Sequence, residues 1–283
     1  KKLSPDAINT YNFGTIEYHL TAFLAGVKTR VHSDHGHGGD AQDGLNKKNN
    51  FIRKVSSFFI NDYVVVSQDL MDWVTRVVKV KPQRLHLIQN GVDVPDSLAN
   101  IKMNVPTSPV ICTVGRLDPV KNQTLLLNAF KIMHDKSANA RLKIVGDGPE
   151  RVNLEREAAQ LKVTQFVDFM GYREDVREQL ITSDVFVLSS HYEAMPMTIL
   201  EAMAIGCPVV TTDVGGIRHF VDDTYVTYSS PGKAEELAEH LLLSLQYLPE
   251  QQEKIKKSFE LVKSSYSLQA MAARYTSIYY NKN

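Results

Sequence analysis

Residues 184–216, D-V-F-V-L-S-S-H-Y-E-A-M-P-M-T-I-L-E-A-M-A-I-G-C-P-V-V-T-T-D-V-G-G, narrow the fold of this chain more than any other stretch. Residues 184–188 are a short apolar run bounded by polar residues, which predicts a buried strand. Pro196 suits a first helical position and Gly206 a C-terminal cap, so a helix is expected over about 197–205. A second buried strand follows at 208–211. One helix between two buried strands is a crossover, which makes the strands parallel and the sheet of the α/β type. In an open parallel sheet the ligand crevice lies beyond the carboxyl ends of the strands, where helix N-termini offer free N–H groups to anions. Glu193 falls in the loop leading into that crevice, and Glu201 one turn into the helix. Carboxylates so placed can accept hydrogen bonds from sugar hydroxyls while the helix end holds a phosphate.

The same alternation runs through the rest of the chain. Before residue 95, strands are expected at 7–11, 28–33, 63–67 and 85–89, with a helix over 15–25 closed by Gly26. Ser67 is a natural N-cap for a helix whose Leu70, Trp73, Val74 and Val77 share one face. Four strands are few for a free-standing doubly wound domain and leave an open edge, so sequence upstream of Lys1 is expected to complete this half. Residues 95–108, rich in Asn, Pro and Ser, read as a linker. Six strands follow, at 110–114, 142–145, 166–169, 184–188, 208–211 and 225–228. Helices over 123–134, 149–161, 174–181 and 197–205 alternate with them, and one long helix starts at 233. That is enough for a complete doubly wound domain. A last helix, from about 268, sets Leu268, Met271, Ala272, Tyr275, Ile278 and Tyr279 on one face and has to dock on something. The expected domains are 1–95, 109–265 and a closing helix, 266–283, that crosses back to the first.

Charge excludes one class of partner. The formal net charge is zero, and the two halves depart from neutrality by only a few charges of opposite sign, so nucleic acid is not expected. Cys112 and Cys207 lie in or beside apolar strands without metal or redox spacing and read as buried thiols, which suits a reducing compartment. No apolar run approaches ~18 residues and no signal peptide opens the chain, so a cytoplasmic protein is expected. Peripheral contact with the inner face of a membrane stays open. Lys47, Lys48, Arg53 and Lys54 form a basic run that reads either as a solvated face or as a seat for phosphorylated groups or anionic lipid heads. His32, His35 and His37 cluster with Asp34, Asp40 and Asp43 directly after a strand. Their irregular spacing does not suit structural zinc, which leaves a substrate-facing polar loop or ordinary solvated histidines.

The strand at 110–114 runs into G-R-L-D-P-V-K-N, which places Gly115, Arg116 and Lys121 on the same rim as Glu193. Gly115 lets backbone approach a ligand, Arg116 can fork onto phosphate oxygens, and Lys121 supplies a point charge. The alternative is a surface loop with two solvated cations. Gly146 and Gly148 in V-G-D-G-P-E lack the third glycine of a dinucleotide fingerprint, and no G-K-[ST] loop occurs, which argues against nicotinamide and ATP. Met170, Gly171 and Tyr172 end another strand, either to read and cover a base or as a plain turn. Asp213, Gly215 and Gly216 close the rim. There is no D-x-D, so neither a metal nor a cofactor is expected.

Taken together, N-G-V-D at 90–93, G-R-L-D-P-V-K at 115–121, V-G-D-G-P at 145–149, the 193–210 stretch and V-G-G at 214–216 resemble glycosyltransferase family four, the large retaining family with the GT-B fold. V-H-S-D-H-G and Y-V-V-V-S-Q-D-L-M-D-W-V are similar to the subgroup that builds exopolysaccharide and other bacterial surface glycans. The resemblance implies two Rossmann-like α/β domains facing a cleft, the first incomplete here. It also implies metal-independent, retaining transfer of a hexose from a nucleotide sugar, a UDP-sugar foremost, to a glycan or lipid-linked acceptor. At the matching positions, Arg116 and Lys121 would hold the donor diphosphate and Glu201 the ribose hydroxyls. Glu193 would hold the transferred sugar, with backbone N–H groups such as that of Met197. His35, with His32 as runner-up, would reach the donor sugar, and the base would lie near Gly171 and Tyr172. The family's first strand and glycine-rich loop have no counterpart in this chain. A non-catalytic nucleotide-sugar-binding module, or another GT-B enzyme such as a nucleotide-sugar epimerase or a phosphorylase, are the rival readings.

Overall fold

The computed structural model describes residues 4–36, 46–98, 105–136, 139–193, 195–246 and 248–280. The chain divides into two compact units, Lys1–Gly91 with Leu268–Asn283, and Val92–Ser267.

The first unit is built on four parallel strands, β1 (Ala7–Tyr11), β2 (Thr29–Asp34), β3 (Asp62–Val65) and β4 (Leu85–Leu87), whose order in the sheet follows the sequence. Right-handed crossovers between strands laid down in one direction all fall on one face. That face carries α1 (Tyr18–Leu24), α2 (Lys47–Ser56) and α3 (Gln68–Trp73), the last continued by a π turn over Val74–Val78. Side chains along a strand alternate between faces, so Tyr63 and Val65 turn towards Leu70, Trp73 and Val74, while Val64 turns the other way. There it meets Val31, Ile88 and Ile278 of the closing helix Leu268–Tyr280. Asn9 and Ser33 bond the hydroxyls of Tyr279 and Tyr275 on the same side, at 2.8 and 3.1 Å.

Helix α2 corrects the reading of residues 47–54 as a basic run. Asn46 caps it by accepting from the backbone N–H of Asn49 at 3.1 Å. The helical period then sorts the four cations. Lys47, Lys48 and Lys54 face solvent with Phe51, whereas Arg53 is fully buried, its Nε 3.2 Å from Asp34. The helix expected over 15–25 is shorter, because Phe13–Thr15 forms a separate 3-10 turn before α1.

The second unit holds a six-stranded parallel sheet. In chain order its elements are β5 (Val110–Val114), α4 (Gln123–Lys136), β6 (Arg141–Val145), α5 (Arg151–Gln160), β7 (Val167–Gly171), α6 (Val176–Ile181), β8 (Val185–Leu188), α7 (Met197–Ala204), β9 (Val209–Thr212), β10 (Thr227–Ser229), α8 (Ala234–Ser244) and α9 (Pro249–Ser265). The closing helix of the first unit is then α10. The sheet order is β10-β9-β8-β5-β6-β7. The chain therefore lays strands in one direction from β5 to β7, returns, and lays the rest on the other side of β5. Helices α4, α5 and α8 pack one face through Leu126, Phe130, Leu154 and Leu241, and α6, α7 and α9 pack the other through Leu180, Leu200, Met203 and Val262. With both faces covered the strands need not alternate, and β8 is buried at every residue. Cys112 and Cys207 are buried and form no disulfide; burial pushes the Cys112 thiol up to about 11.

Two boundaries differ from expectation. The single long helix from 233 is two, α8 and α9. Pro249 lacks the N–H that a continuing helix needs, and instead opens α9 in its first turn. Residues 92–94, expected to end the first domain, and residues 95–98, expected to open the linker, belong to the second unit. Val92 bridges Ser267 and donates to Tyr266 O at 2.8 Å, and Arg177 reaches Asp93 at 2.6 Å. Among the described residues no helix is long and apolar enough to cross a membrane.

Candidate functional site

Strands β5 and β8 are neighbours in the second sheet, paired at Ile111 with Val185 and Cys112 with Phe186. The chain leaves β5 for α4 on one face and leaves β8 for α7 on the other. Such a reversal sends the two connections to opposite faces and leaves the carboxyl ends of these strands uncovered by a crossover.

Two loops are stitched together there. After β5 the chain forms a 3-10 turn, Pro119–Lys121, started by the Asp118 side chain accepting from Val120 N at 3.1 Å and closed by Asn122 in the left-handed conformation, φ 48°. The turn delivers Lys121, whose Nζ donates to Glu193 Oε1 at 2.6 Å. Ser190 Oγ donates to the same oxygen, also at 2.6 Å. Ser189 Oγ donates to the carbonyls of Lys121 and Asn122 at 3.2 and 3.0 Å, and His191 N to Val120 O at 2.7 Å. The Glu193 side chain is 8% exposed and the Lys121 side chain 25%. Taking a carboxylate this far out of water costs several kcal/mol unless it is paired, and a charge-assisted bond with a second donor is what compensates it.

Three glycines hold these loops against their neighbours. A Cβ at Gly215, itself at φ 56°, would sit 2.1 Å from Glu193 O, and Gly216 N donates to that carbonyl at 2.7 Å. Cβ atoms at Gly146 and Gly148 would sit 1.9 Å from Gly115 O and 2.2 Å from Leu117 O. The V-G-D-G-P motif thus brings the β6 loop into backbone contact with the β5 loop. Gly115 is different, because an added Cβ would meet only Lys121 Cε, at 3.9 Å, and space stays open beside the ammonium.

The remaining candidates stand around this pair. Arg116 shares the loop with Lys121 and projects into solvent, its Nε 3.8 Å from Asp118. Met197 begins α7, whose first turn has no side-chain cap, so its end is suited to an anion. Glu201 lies in the second turn, half-buried, and burial alone raises its pKa. Gly171 ends β7 at φ 68°, with Tyr172 exposed beside it. Asp213 is forked by Arg218 through two 2.8 Å bonds, and Arg218 lies over the Tyr228 ring at 4.0 Å, so Asp213 serves the rim's own structure.

In the first unit the two histidine candidates part. His32 is fully buried, Nδ1 2.7 Å from Thr10 Oγ1. His35 stands just past the end of β2, exposed, its backbone N–H donating to Asn12 Oδ1 at 2.9 Å. Strand alternation turns His32 under the helices, whereas His35 is open to solvent. His37, Asp40 and Asp43 lie outside the described residues, and among those described no group of three or more His, Cys, Asp or Glu could hold a metal ion. Sequence reasoning missed Ser190 and the packing role of Gly215. The polar pair S-S directly after a buried strand was the available signal for the first.

Comparison with known proteins gives a consistent picture. Residues 98–260 match the family model described as glycosyl transferases group 1. The chain is 28% identical over 245 residues to the Escherichia coli UDP-Gal:alpha-D-GlcNAc-diphosphoundecaprenol alpha-1,3-galactosyltransferase, covering 80% of this chain and 62% of that protein. It is 37% identical over 123 residues to the Rhizobium meliloti lipopolysaccharide core biosynthesis glycosyltransferase LpsE, covering 43% of this chain and 35% of that one. The chain thus spans less than two thirds of the length of these curated relatives. The crystal structure of Anabaena HepE in complex with UDP superposes with a TM-score of 0.76 at 18% identity, over 95% of this chain and 77% of that one. Two Rossmann-like parallel units of this kind are the GT-B fold class expected above.

The glycine contacts generate a paired expectation. Gly215→Ala, strained in backbone and in collision with Glu193 O, should lower stability by about 1–3 kcal/mol in denaturant unfolding. Gly115→Ala, which meets open space, should change it by less than about 1 kcal/mol. Equal effects of the two substitutions would show that the Glu193 loop is not held as described.

Proposed function

This chain belongs to the family of glycosyl transferases group 1, and from that membership and the site at the β5 and β8 loops we propose a specific activity. It is a retaining, metal-independent glycosyltransferase that moves a hexose from a UDP-sugar to a glycan or lipid-linked acceptor in surface polysaccharide synthesis. The observation that carries this reading is the Lys121–Glu193 pair, an ammonium and a carboxylate set side by side where a phosphate and a sugar hydroxyl would need them.

The chemistry follows from the charges. Breaking the anomeric C–O bond leaves its electron pair on the diphosphate and positive character on the sugar ring. Lys121, Arg116 and the uncapped first turn of α7 stabilise the diphosphate, and no metal is needed for that. Glu193 accepts hydrogen bonds from the sugar hydroxyls, Glu201 from the ribose, and the Gly171–Tyr172 edge meets the base. His35 takes the part that the resemblance implies for it, at the transferred sugar. The acceptor hydroxyl attacks from the face the diphosphate leaves, and its proton passes to the departing phosphate oxygen. The UDP-Gal donor and the GlcNAc-diphosphoundecaprenol acceptor of the Escherichia coli relative, and the UDP in HepE, support the choice of donor and acceptor class. Peripheral contact with an anionic membrane surface belongs to the same reading. Lys47, Lys48 and Lys54 share the outward face of α2 with exposed Phe51, a combination that suits lipid headgroups.

Transfer is tested with a panel of UDP-sugars and lipid-linked or oligosaccharide acceptors. Transfer or donor hydrolysis separates the enzyme from a binding module, and epimerised donor without acceptor would point to the rival enzyme. Arg116→Ala should lower kcat a hundredfold or more, about 3 kcal/mol of transition-state stabilisation, with Tm unchanged. Turnover within about twofold of wild type would count against the assignment.

Glu201 sets a pH dependence. Burial raises its pKa in the free protein, while ribose hydroxyls favour the ionised carboxylate, so donor binding releases a proton. Affinity for the nucleotide sugar should be full above the free-protein pKa and fall as pH drops through it. The diphosphate diester has no proton to gain in that range. Calorimetry across pH should show the fall in wild type and a flat profile in Glu201→Gln; the same slope in both would remove Glu201 from the ribose site. Cosedimentation with vesicles should retain the protein on anionic lipid, and Lys47→Glu with Lys48→Glu should release it; equal retention by both proteins would dismiss the α2 face as the contact.

A further inference from the structure

We infer that Asn12 is a positioning residue, whose side-chain oxygen fixes the backbone of His35 so that the imidazole is presented just past the carboxyl end of β2. The inference rests on the function proposed above, in which His35 meets the transferred sugar.

Asn12 directly follows β1 and has φ 59° with ψ 171°, a backbone conformation that glycine adopts freely and that strains a residue with a side chain. Its backbone is nevertheless fully engaged. The N–H donates to Ser33 O at 2.8 Å, continuing the β1–β2 ladder, and the carbonyl accepts from the N–H and the hydroxyl of Thr15, both at 3.3 Å. The residue occupies the capping position of the Phe13–Thr15 turn, yet its side chain makes no capping bond. The Oδ1 instead crosses to the neighbouring strand end and accepts from His35 N at 2.9 Å. The preceding Tyr11 ring packs against the His35 imidazole, centroids 5.8 Å apart and planes tilted by 59°. A strained non-glycine residue whose side chain spends its one good bond on another loop is explained by that bond.

From beneath, the same loop is anchored through Asp34, the last residue of β2. One carboxylate oxygen accepts from Arg53 Nε and from the Tyr63 hydroxyl, and the other is 3.5 Å from His32 Nε2, with all four side chains fully buried. Arg53 is held in turn over the rings of Phe13 and Trp73, 4.8 and 5.1 Å from their centroids. The polar chain continues from His32 Nδ1 to Thr10 Oγ1 and on to His19 Nε2, each step 2.7 Å. A single hydroxyl proton on Thr10 orders these bonds. If His32 Nε2–H points at Asp34, then Thr10 donates to His32 Nδ1 and accepts from His19 Nε2–H, leaving His19 Nδ1 as a bare acceptor. That nitrogen has no partner, and a bare acceptor is better tolerated there than an orphaned N–H. The opposite order would leave an N–H in its place. Burial, with His32 and Arg30 nearby, pushes His19 down to about 4 and keeps it neutral, as either order requires. Residue 34 is thereby immobilised from below by directional bonds, and the backbone of residue 35 is held from above by Asn12.

Glycine at position 12 separates positioning from structure, because it relieves the strain and removes the acceptor together. In the full chain, Asn12→Gly should keep or raise Tm, lower kcat for sugar transfer at least tenfold, and leave the donor KM within about twofold. Amide exchange at His35 should quicken at least tenfold in the same variant. Asn12→Asp, which retains the accepting oxygen, should restore slow exchange and a kcat within about threefold of wild type. A kcat within twofold of wild type in Asn12→Gly, or unchanged exchange at His35, overturns the inference. If Arg116→Ala abolishes transfer while His35→Ala does not, this inference falls and the proposed function stands. If the wild-type chain transfers no sugar at all, both fall.

Discussion

The reversal of strand order between β5 and β8 is the constraint on which the candidate site depends. Elsewhere in the second sheet, consecutive strands are joined by elements that pack against their own face and close the space above it. Only where neighbouring strands send their chains to opposite faces is the carboxyl edge left open. Lys121 from the β5 loop and Glu193 from the β8 loop meet there, bonded at 2.6 Å. Glu193 is buried, so it must be compensated whether or not a ligand is present. Lys121 and Ser190 supply that compensation from the protein itself, which keeps an ionised carboxylate and an ammonium ready in a cleft that would otherwise disfavour both.

The loops reach this arrangement through backbone rather than side-chain contacts. Gly146 and Gly148 let the β6 loop touch the β5 loop, and Gly215 does the same between the β9 loop and Glu193, each at a distance that no Cβ could occupy. Leu117 N to Asp147 O and Glu150 N to Leu117 O, both at 3.0 Å, lock the first of these contacts. Backbone contacts of this kind have few alternative geometries, so the polar groups are fixed before anything binds and little reorganisation remains for the moment of reaction. Gly115 and Arg116 are the exceptions, one leaving space and the other a guanidinium in solvent.

Much of this was legible in the sequence, and what was not has a common cause. The strands of both sheets, Ser67 as a helix cap and Gly206 as a helix stop all rest on patterns within a few residues, and the structure has them where expected. The candidate residues on the β5 and β8 loops were readable because each lies within a short motif beside its strand. Arg53 was misread because a run of four cations looks solvated. What turns it inward is Asp34, nineteen residues earlier on a strand, together with the Phe13 and Trp73 rings. The first unit ends at Gly91 rather than at the expected 95 for the same reason, since Val92 is held by Tyr266 and Ser267 at the far end of the second unit. Ser190 was missed although it is only three residues from Glu193, because a loop has no period from which to read its bonds. The preference for His35 over His32 rested on the resemblance; the structure adds that His32 is buried and His35 exposed.

The two units solve the problem of a core differently. Under α4, α5 and α8 the second sheet presents Ile111, Leu142, Ile144 and Val187, an apolar surface that packs without regard to direction. Under α1 and α2 the first sheet presents Thr10, His32 and Asp34 instead, facing His19 and Arg53. Burial pushes the Asp34 carboxyl up, but His32, Arg53 and Tyr63 outweigh it and hold it below the usual carboxylate range. Apolar residues of similar volume commonly match or exceed the stability of such a buried charged cluster. Stability therefore does not explain its presence. What hydrogen bonds supply and dispersion contacts do not is orientation, for an apolar core tolerates a strand end shifted by a few tenths of an ångström, whereas a carboxylate bonded by Arg53 and Tyr63 does not. The strand end so fixed is the one that carries His35, and it is the same end of a parallel sheet at which the second unit sets Lys121 and Glu193.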